Sequence, residues 1–290
     1  MGVFSGGVRS GLAVALAGWM AGATALAAQT DAGAGMDAQA LVRRGVELRL
    51  EAEKSHRPME YVLHRMDERR DTTKAIVETK DGDVARLVAE GGRPLSAEAD
   101  HAELDRLENL KAHPELQEHR KRGEQKDEER IERLMAMLPD AFEFRMEGME
   151  PCAAGRCYRL SFAPNAKWQP PDLESRLFRG MAGEVWISQA AERLVRLDAH
   201  FIADVDFGFG ILGKLDKGGT VSLEQTEVGG GDWELTGLTL HVTGRALVKS
   251  LSFQVREETS HYSPVMPGMG YGAAIEMLKK FRMDAAGGER

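Results

Sequence analysis

Between residues 178 and 262, short runs of alternating apolar and polar residues follow one another with turn residues between them. That period of two constrains the chain more than any other feature, because it puts alternate side chains on opposite faces of a strand. In 194–202, Val195, Leu197, Ala199 and Phe201 share one face while Arg196, Asp198 and His200 share the other. Residues 233–243 group Leu238, Leu240 and Val242. Residues 247–255 group Leu247, Leu251, Phe253 and Val255, with Lys249 as the one polar intruder. Strands at 183–188 and 220–227 complete the series. An antiparallel sheet with one wet face results, and its apolar face must be covered or left as a cavity.

The chain before this sheet supplies elements that could cover it. In 37–54, Leu41, Val42, Val46, Leu48 and Leu50 recur at mixed spacings of three and four behind Asp37, which predicts a capped amphipathic helix. Strands are predicted at 58–66, 72–79 and 83–89, the last two joined by a tight turn at Asp81-Gly82. Ser96 caps a helix carrying Leu104, Leu107 and Leu110. A second helix starts at Pro114 and runs to about residue 138. Residues 117–130 contain no aliphatic side chain, so this stretch reads as a solvated helical arm held by opposite charges three or four residues apart. The sharper reading makes it a lid or a docking arm. Near the C-terminus, Ala273, Ala274, Met277, Leu278 and Phe281 share a helix face.

Residues 1–28 carry Arg9, an uncharged run rich in Ala, Gly, Leu and Val, and the small residues Ala25-Leu26-Ala27-Ala28. They read as a secretory signal peptide, with 29–36 as a linker. Roughly 260 residues remain, enough for one sizeable core. A formal net charge of −8 with no basic patch argues against nucleic acid as the partner. Cys152 and Cys157 are the only two cysteines. Their spacing fits neither a Cys-x-x-Cys redox pair nor a zinc site, and it predicts a structural disulfide closing a hairpin between 141–146 and 158–162.

Gly208-Phe-Gly-Ile-Leu-Gly213 matches the dinucleotide-binding glycine string. The fingerprint needs a helix starting on its glycines inside a βαβ unit, whereas a strand follows here, so backbone freedom is the better account. His200, Asp204 and Asp206 share a parity and could be drawn as metal ligands, but polar residues on a wet strand face look the same. No metal site or cofactor is assigned. Catalytic motifs are lacking as well: there is neither a Gly-x-Ser-x-Gly elbow nor a His-Glu-x-x-His helix, and no catalytic residue is nominated.

An exported chain, an N-terminal helix, early strands, a helical interruption and then Gly183, Val185 and Ile187 leading to Leu194-Val-Arg-Leu-Asp198 form an order of elements. In this order the chain resembles the bacterial outer-membrane lipoprotein carrier and sorting proteins (LolA/LolB-like) and uncharacterised secreted relatives. The chain departs from that pattern in its charged stretch at 96–138 and in its cysteine hairpin. The resemblance implies an α+β fold: a strongly curved antiparallel sheet, a half-barrel, packed on an N-terminal and a C-terminal helix. It implies a single LolA-like domain over 37–283 with a helical insertion at 96–138, followed by a disordered tail at 284–290. The function expected is a non-catalytic, periplasmic lipid- or lipoprotein-binding protein, with the acyl chains of a lipoprotein as partner and no membrane span after leader removal. Phe201, Phe207, Phe209, Leu240, Phe253 and Trp186 are the expected lining. The competing expectations are an envelope scaffold that meets a protein partner through the arm 96–138, and a hydrolase with an unrecognised site.

Overall fold

The computed structural model describes residues 37–207, 213–246 and 249–282. The leader 1–28, the linker 29–36, the tail 284–290, Phe209 with most of the glycine string, and Leu247 lie outside the described residues.

In chain order the elements are α1 (Ala38–Lys54), β1 (Met59–Asp67), β2 (Asp71–Val77), β3 (Val84–Glu90), β4 (Arg93–Pro94), α2 (Ala97–Ala112) and α3 (Pro114–Ala141). They continue with β5 (Phe142–Cys152), β6 (Gly155–Pro164), β7 (Met181–Ser188), β8 (Leu194–Phe201), β9 (Val205–Phe207) and β10 (Gly213–Leu215). The remainder is β11 (Thr220–Gly229), β12 (Asp232–Ala246), β13 (Lys249–Pro264) and α4 (Tyr271–Lys280). The fold is α+β, with a curved antiparallel sheet that is not closed into a barrel; β4 and β5 are its terminal strands. Extra residues in β3, β5, β8, β11, β12 and β13 bulge and bend the strands. The residues form two compact units, and α3 and β13 each begin in one and end in the other.

The first unit holds 55–131 and 255–282. Its strands run in the order β4-β3-β2-β1-β13, all antiparallel. Ala75, Val77, Val84 and Val88 present one apolar face, on which Leu107 and Leu110 of α2 and Ala274, Ile275 and Leu278 of α4 pack. Arg86 lies on the same face, 2 % exposed, and closes the end of α4. Its Nη1 donates to the carbonyls of Leu278 (2.6 Å) and Phe281 (3.0 Å), and its Nη2 pairs with Asp100 at 2.5 Å. Those carbonyls are among the four that every helix leaves unsatisfied at its C-terminus. The sequence reading grouped the apolar residues of the last strand only as far as Val255. The strand continues to Pro264 because Glu257 and Thr259 take the inward positions, and Glu257 finds Arg65 of β1 at 2.5 Å.

The charged stretch is helical, as its spacing predicts, but it is not solvated all round. Gln117 and Glu124 are buried on the turn between β2 and β3. Gln117 Nε2 donates to Asp81 O (3.0 Å), Lys121 Nζ donates to Lys80 O (2.7 Å), and Glu124 Oε2 accepts from the Asp83 N–H (3.0 Å). The fit requires glycine at the turn. Gly82 has φ +92°, and a Cβ there would lie 2.7 Å from Glu124 Oε2 and 3.0 Å from Lys121 Cβ. Because β4 is only two residues long, side chains take the outer rungs of β3. Gln117 and Glu124 serve Asp83, Arg106 donates to Ala85 O (2.6 Å), and Glu103 accepts from the Leu87 N–H (2.8 Å).

The second unit holds 37–54 and 132–254. Its strands run β12-β11-β8-β7-β6-β5, with β10 pairing both β12 and β9. Ala38, Leu41 and Val42 of α1 pack on Tyr158, Leu160, Val185 and Ile187. Gln39 fixes the helix to the first rungs of β5: its Nε2 donates to Phe142 O (3.1 Å), and its Oε1 accepts from the Phe144 N–H (3.3 Å). Cys152 and Cys157 are joined in a disulfide at the tip of the β5–β6 hairpin.

Candidate functional site

The register of the second unit builds two successive apolar rows across six strands. The first is Met146, Leu160, Val185, Leu197, Leu223 and Leu238, each paired with the next on the neighbouring strand. The second is Phe144, Phe162, Gly183, Ala199, Val221 and Leu240. Residues directly opposite on antiparallel strands share a face, so both rows lie on one surface. The cluster that α1 joins takes in Met146, Leu160, Val185 and Leu197 of the first row and Phe144 of the second.

The second row is small at its centre and large at its ends. A Cβ at Gly183 would collide with the Asp198 carbonyl and lie 2.7 Å from Ala199 Cα, so β8 leaves no room for a side chain there. Gly183 and Ala199 are the small residues at the row's centre. At one end Phe144 and Phe162 join an aromatic cluster with Phe142, Phe178 and Trp168: the ring centre of Phe142 stands 4.9 Å from that of Phe162 and 5.4 Å from that of Phe178, and Trp168 stands 6.1 Å from Phe178. Val221 and Leu240 stand at the other end. Phe144, Gly183 and Val221 remain partly exposed, while Phe162, Ala199 and Leu240 are buried.

The expected lining residues are thus distributed. Leu240 stands in the second row, and Phe201, 1 % exposed, follows Ala199 on the same strand face. Phe207 ends β9 opposite Gly213. Phe253 in β13 is 46 % exposed. Trp186 points the other way: it pairs with Arg159 and Arg196 across the strands, its Nε1 donates to Glu150 Oε1 at 2.5 Å, and the Arg196 guanidinium lies 5.1 Å from its ring centre. The sequence reading missed the aromatic cluster. Three of its five residues sit in a predicted hairpin or its flanks, and the signal was the repeated aromatic at 142, 144 and 162.

On the opposite surface His200 pairs with Ala182 and Thr220, while Asp204 is engaged by Lys214 Nζ (2.6 Å) and the Lys217 N–H (2.7 Å). The Lys214 side chain, together with that N–H, holds the Asp204 carboxyl below its ordinary range. Among the described residues, no three His, Cys, Asp or Glu side chains come together as a metal site. An open cleft of about 330 Å³ lies between Arg176, Arg179, Asp204 and Asp206. It is polar and provides no enclosure for an apolar group. Among the described residues, no helix is long and apolar enough to cross a membrane.

No protein-family model matches the chain. Nor does any curated protein. Among solved structures it is similar to a DUF1329 family protein from Desulfovibrio piger, at 12 % identity and a TM-score of 0.31 over 81 % of this chain and 96 % of that one. It is also similar to a LolA superfamily protein from Nitrosomonas europaea, at 8 % identity and a TM-score of 0.30 over 80 % and 95 %. A third similar structure is an outer membrane lipoprotein-sorting protein domain from Vibrio parahaemolyticus, at 11 % identity and a TM-score of 0.27 over 82 % and 100 %.

Proposed function

We propose that this chain is an exported, non-catalytic carrier that holds an acyl chain, free or on a lipoprotein, along the second apolar row of the second unit. The observation that carries the reading is the second apolar row, in which the small Gly183 and Ala199 stand between aromatic and aliphatic residues. An extended hydrocarbon chain fits over the small residues, and each methylene it buries contributes about 0.8 kcal/mol. The side chains of the row are hydrocarbon, offering neither nucleophile nor acid, which supports binding without chemistry. The periplasmic location rests on the leader read in residues 1–28.

The test is native mass spectrometry of the mature protein taken gently from a bacterial periplasm, followed by organic extraction of any adduct. A stoichiometric acyl adduct is expected. Val221→Asp should abolish it with little change in melting temperature, because Val221 is only half-buried. A clean protein mass that also takes up no added lipid overturns the reading, as does an adduct that survives in Val221→Asp.

A further inference from the structure

The first unit contains two cations that its own fold leaves unpaired. Lys74 sits in the middle of β2, opposite Leu63 of β1 and Leu87 of β3, on the face that also carries Arg65, Thr72 and Glu257. Arg120 sits on α3 between Gln117 and Glu124, which are fixed to the β2–β3 turn, so helical spacing aims it at the same sheet. Both are half-buried. Among the described residues, neither side chain makes a hydrogen bond or an ion pair, and Arg120 Nε is buried without a partner.

Of the nearby carboxylates, Glu103 accepts from Arg106 Nε (2.7 Å) and from the Leu87 N–H, and Glu257 pairs with Arg65 at 2.5 Å. Glu124 Oε2 is used by the Asp83 N–H, while its Oε1 is buried without a partner among the described residues. Burial pushes the Lys74 ammonium below its ordinary range, and Arg65, Arg120 and Arg106 push it further, against Glu103. Arg120 is shifted the same way, first by burial, with Glu124 opposing. Two partly desolvated like charges without partners oppose folding unless something of opposite sign joins them.

We propose that Lys74 and Arg120 form a binding site for a phosphate group, flanked by the engaged cations Arg65 and Arg106. Two unpaired positive charges match the charge of nearly −2 that a phosphate monoester carries at neutral pH. Arginine supplies a planar donor fork for its oxygens and lysine a point charge. The shared chemistry is the monoester or free phosphate, and the inference is carried by the first unit alone.

The test titrates the full mature chain, at constant ionic strength, with inorganic phosphate and separately with dihexanoyl phosphatidic acid, by calorimetry and melting temperature. Saturable binding with one site is expected from at least one of them. Phosphatidic acid binding tenfold tighter identifies a lipid headgroup as the source, and equal affinities identify free phosphate. Lys74→Met and Arg120→Met should each weaken binding at least tenfold, and Lys74→Met should raise the melting temperature of the unliganded protein, since it removes an unpaired charge. Arg122→Met, on the exposed side of α3, should leave binding unchanged. No binding of either probe at millimolar concentration overturns the proposal, as do unaltered affinities in the Met variants or an equal loss in Arg122→Met. A melting temperature that falls in Lys74→Met shows that cation to be structural and overturns it too.

Discussion

Substituting Gly82→Ala separates two contributions that the turn between β2 and β3 combines. An L-residue in the left-handed region costs about 1–2 kcal/mol wherever it occurs. At Gly82 the new methyl also meets Glu124 Oε2 at 2.7 Å, Lys121 Cβ at 3.0 Å and Gln117 Nε2 at 3.2 Å, so the Glu124 and Gln117 side chains must leave the turn. Their departure breaks the Glu124 bond to the Asp83 N–H and the Gln117 bond to Asp81 O. Together these losses are worth about 2–4 kcal/mol, because one of them involves a carboxylate. Gly91 provides the control, since it has φ +58° and nothing within 4 Å of its would-be Cβ. Gly82→Ala should therefore destabilise the protein by about 3–6 kcal/mol and Gly91→Ala by about 1–2 kcal/mol in urea unfolding. Hydrogen exchange should show the Asp83 amide losing protection only in the first variant. Equal losses in the two variants, with the Asp83 amide unchanged, would refute the seating of α3 on the turn.

Three further outcomes are expected. Arg86→Met should lower stability by about 3–5 kcal/mol, because it strands Asp100 and the last carbonyls of α4; urea unfolding with hydrogen exchange across 271–280 reads it. Replacing Cys152 and Cys157 by Ala should cost about 2 kcal/mol on the loop-entropy model and open the β5–β6 tip while circular dichroism stays the same. Burial holds the Glu124 carboxyl above its ordinary value, against the Asp83 N–H and Arg120. The folded state therefore binds the proton more tightly than the unfolded state, and stability falls as pH rises from the unfolded value through the folded one. Glu124→Gln, which keeps an acceptor for Asp83, should gain on the wild type between pH 4 and pH 7.5 in urea midpoints; a constant difference across that range would contradict the buried charge.

Period-two patterning made the strands legible, and parity alone separates Trp186 from Val185 and Ile187 on β7. What patterning does not carry is which strands become neighbours. The second row exists because β8 pairs with β11 across the β9–β10 excursion, which brings Ala199 beside Val221. Gly183 reads in sequence as an ordinary strand opening, and only its pairing with Ala199 sets it at the centre of that row. The charged stretch was legible as helix but not in its packing. Gln117 and Glu124 are buried through hydrogen bonds to a turn, and such burial leaves no hydropathic trace. Lys74, the only charge among the central residues of β2, looks in sequence like any residue on a wet face. Its neighbours Arg106 and Arg120 come from two helices that the sequence does not place.

The side chains that serve the outer rungs of β3 occupy the backbone groups that a strand from another molecule would need. An unpaired edge is a template for self-association, and proteins commonly blunt it with charge or cover it. Here Glu103, Arg106, Gln117 and Glu124 act as that cover for Asp83, Ala85 and Leu87. Deleting the charged stretch to search for a lost partner would uncover this edge, and the truncated protein would gain contacts with its own copies. Substitutions at Glu118, Arg122 and Gln125, all exposed on α3, probe its outer surface while the edge stays sealed.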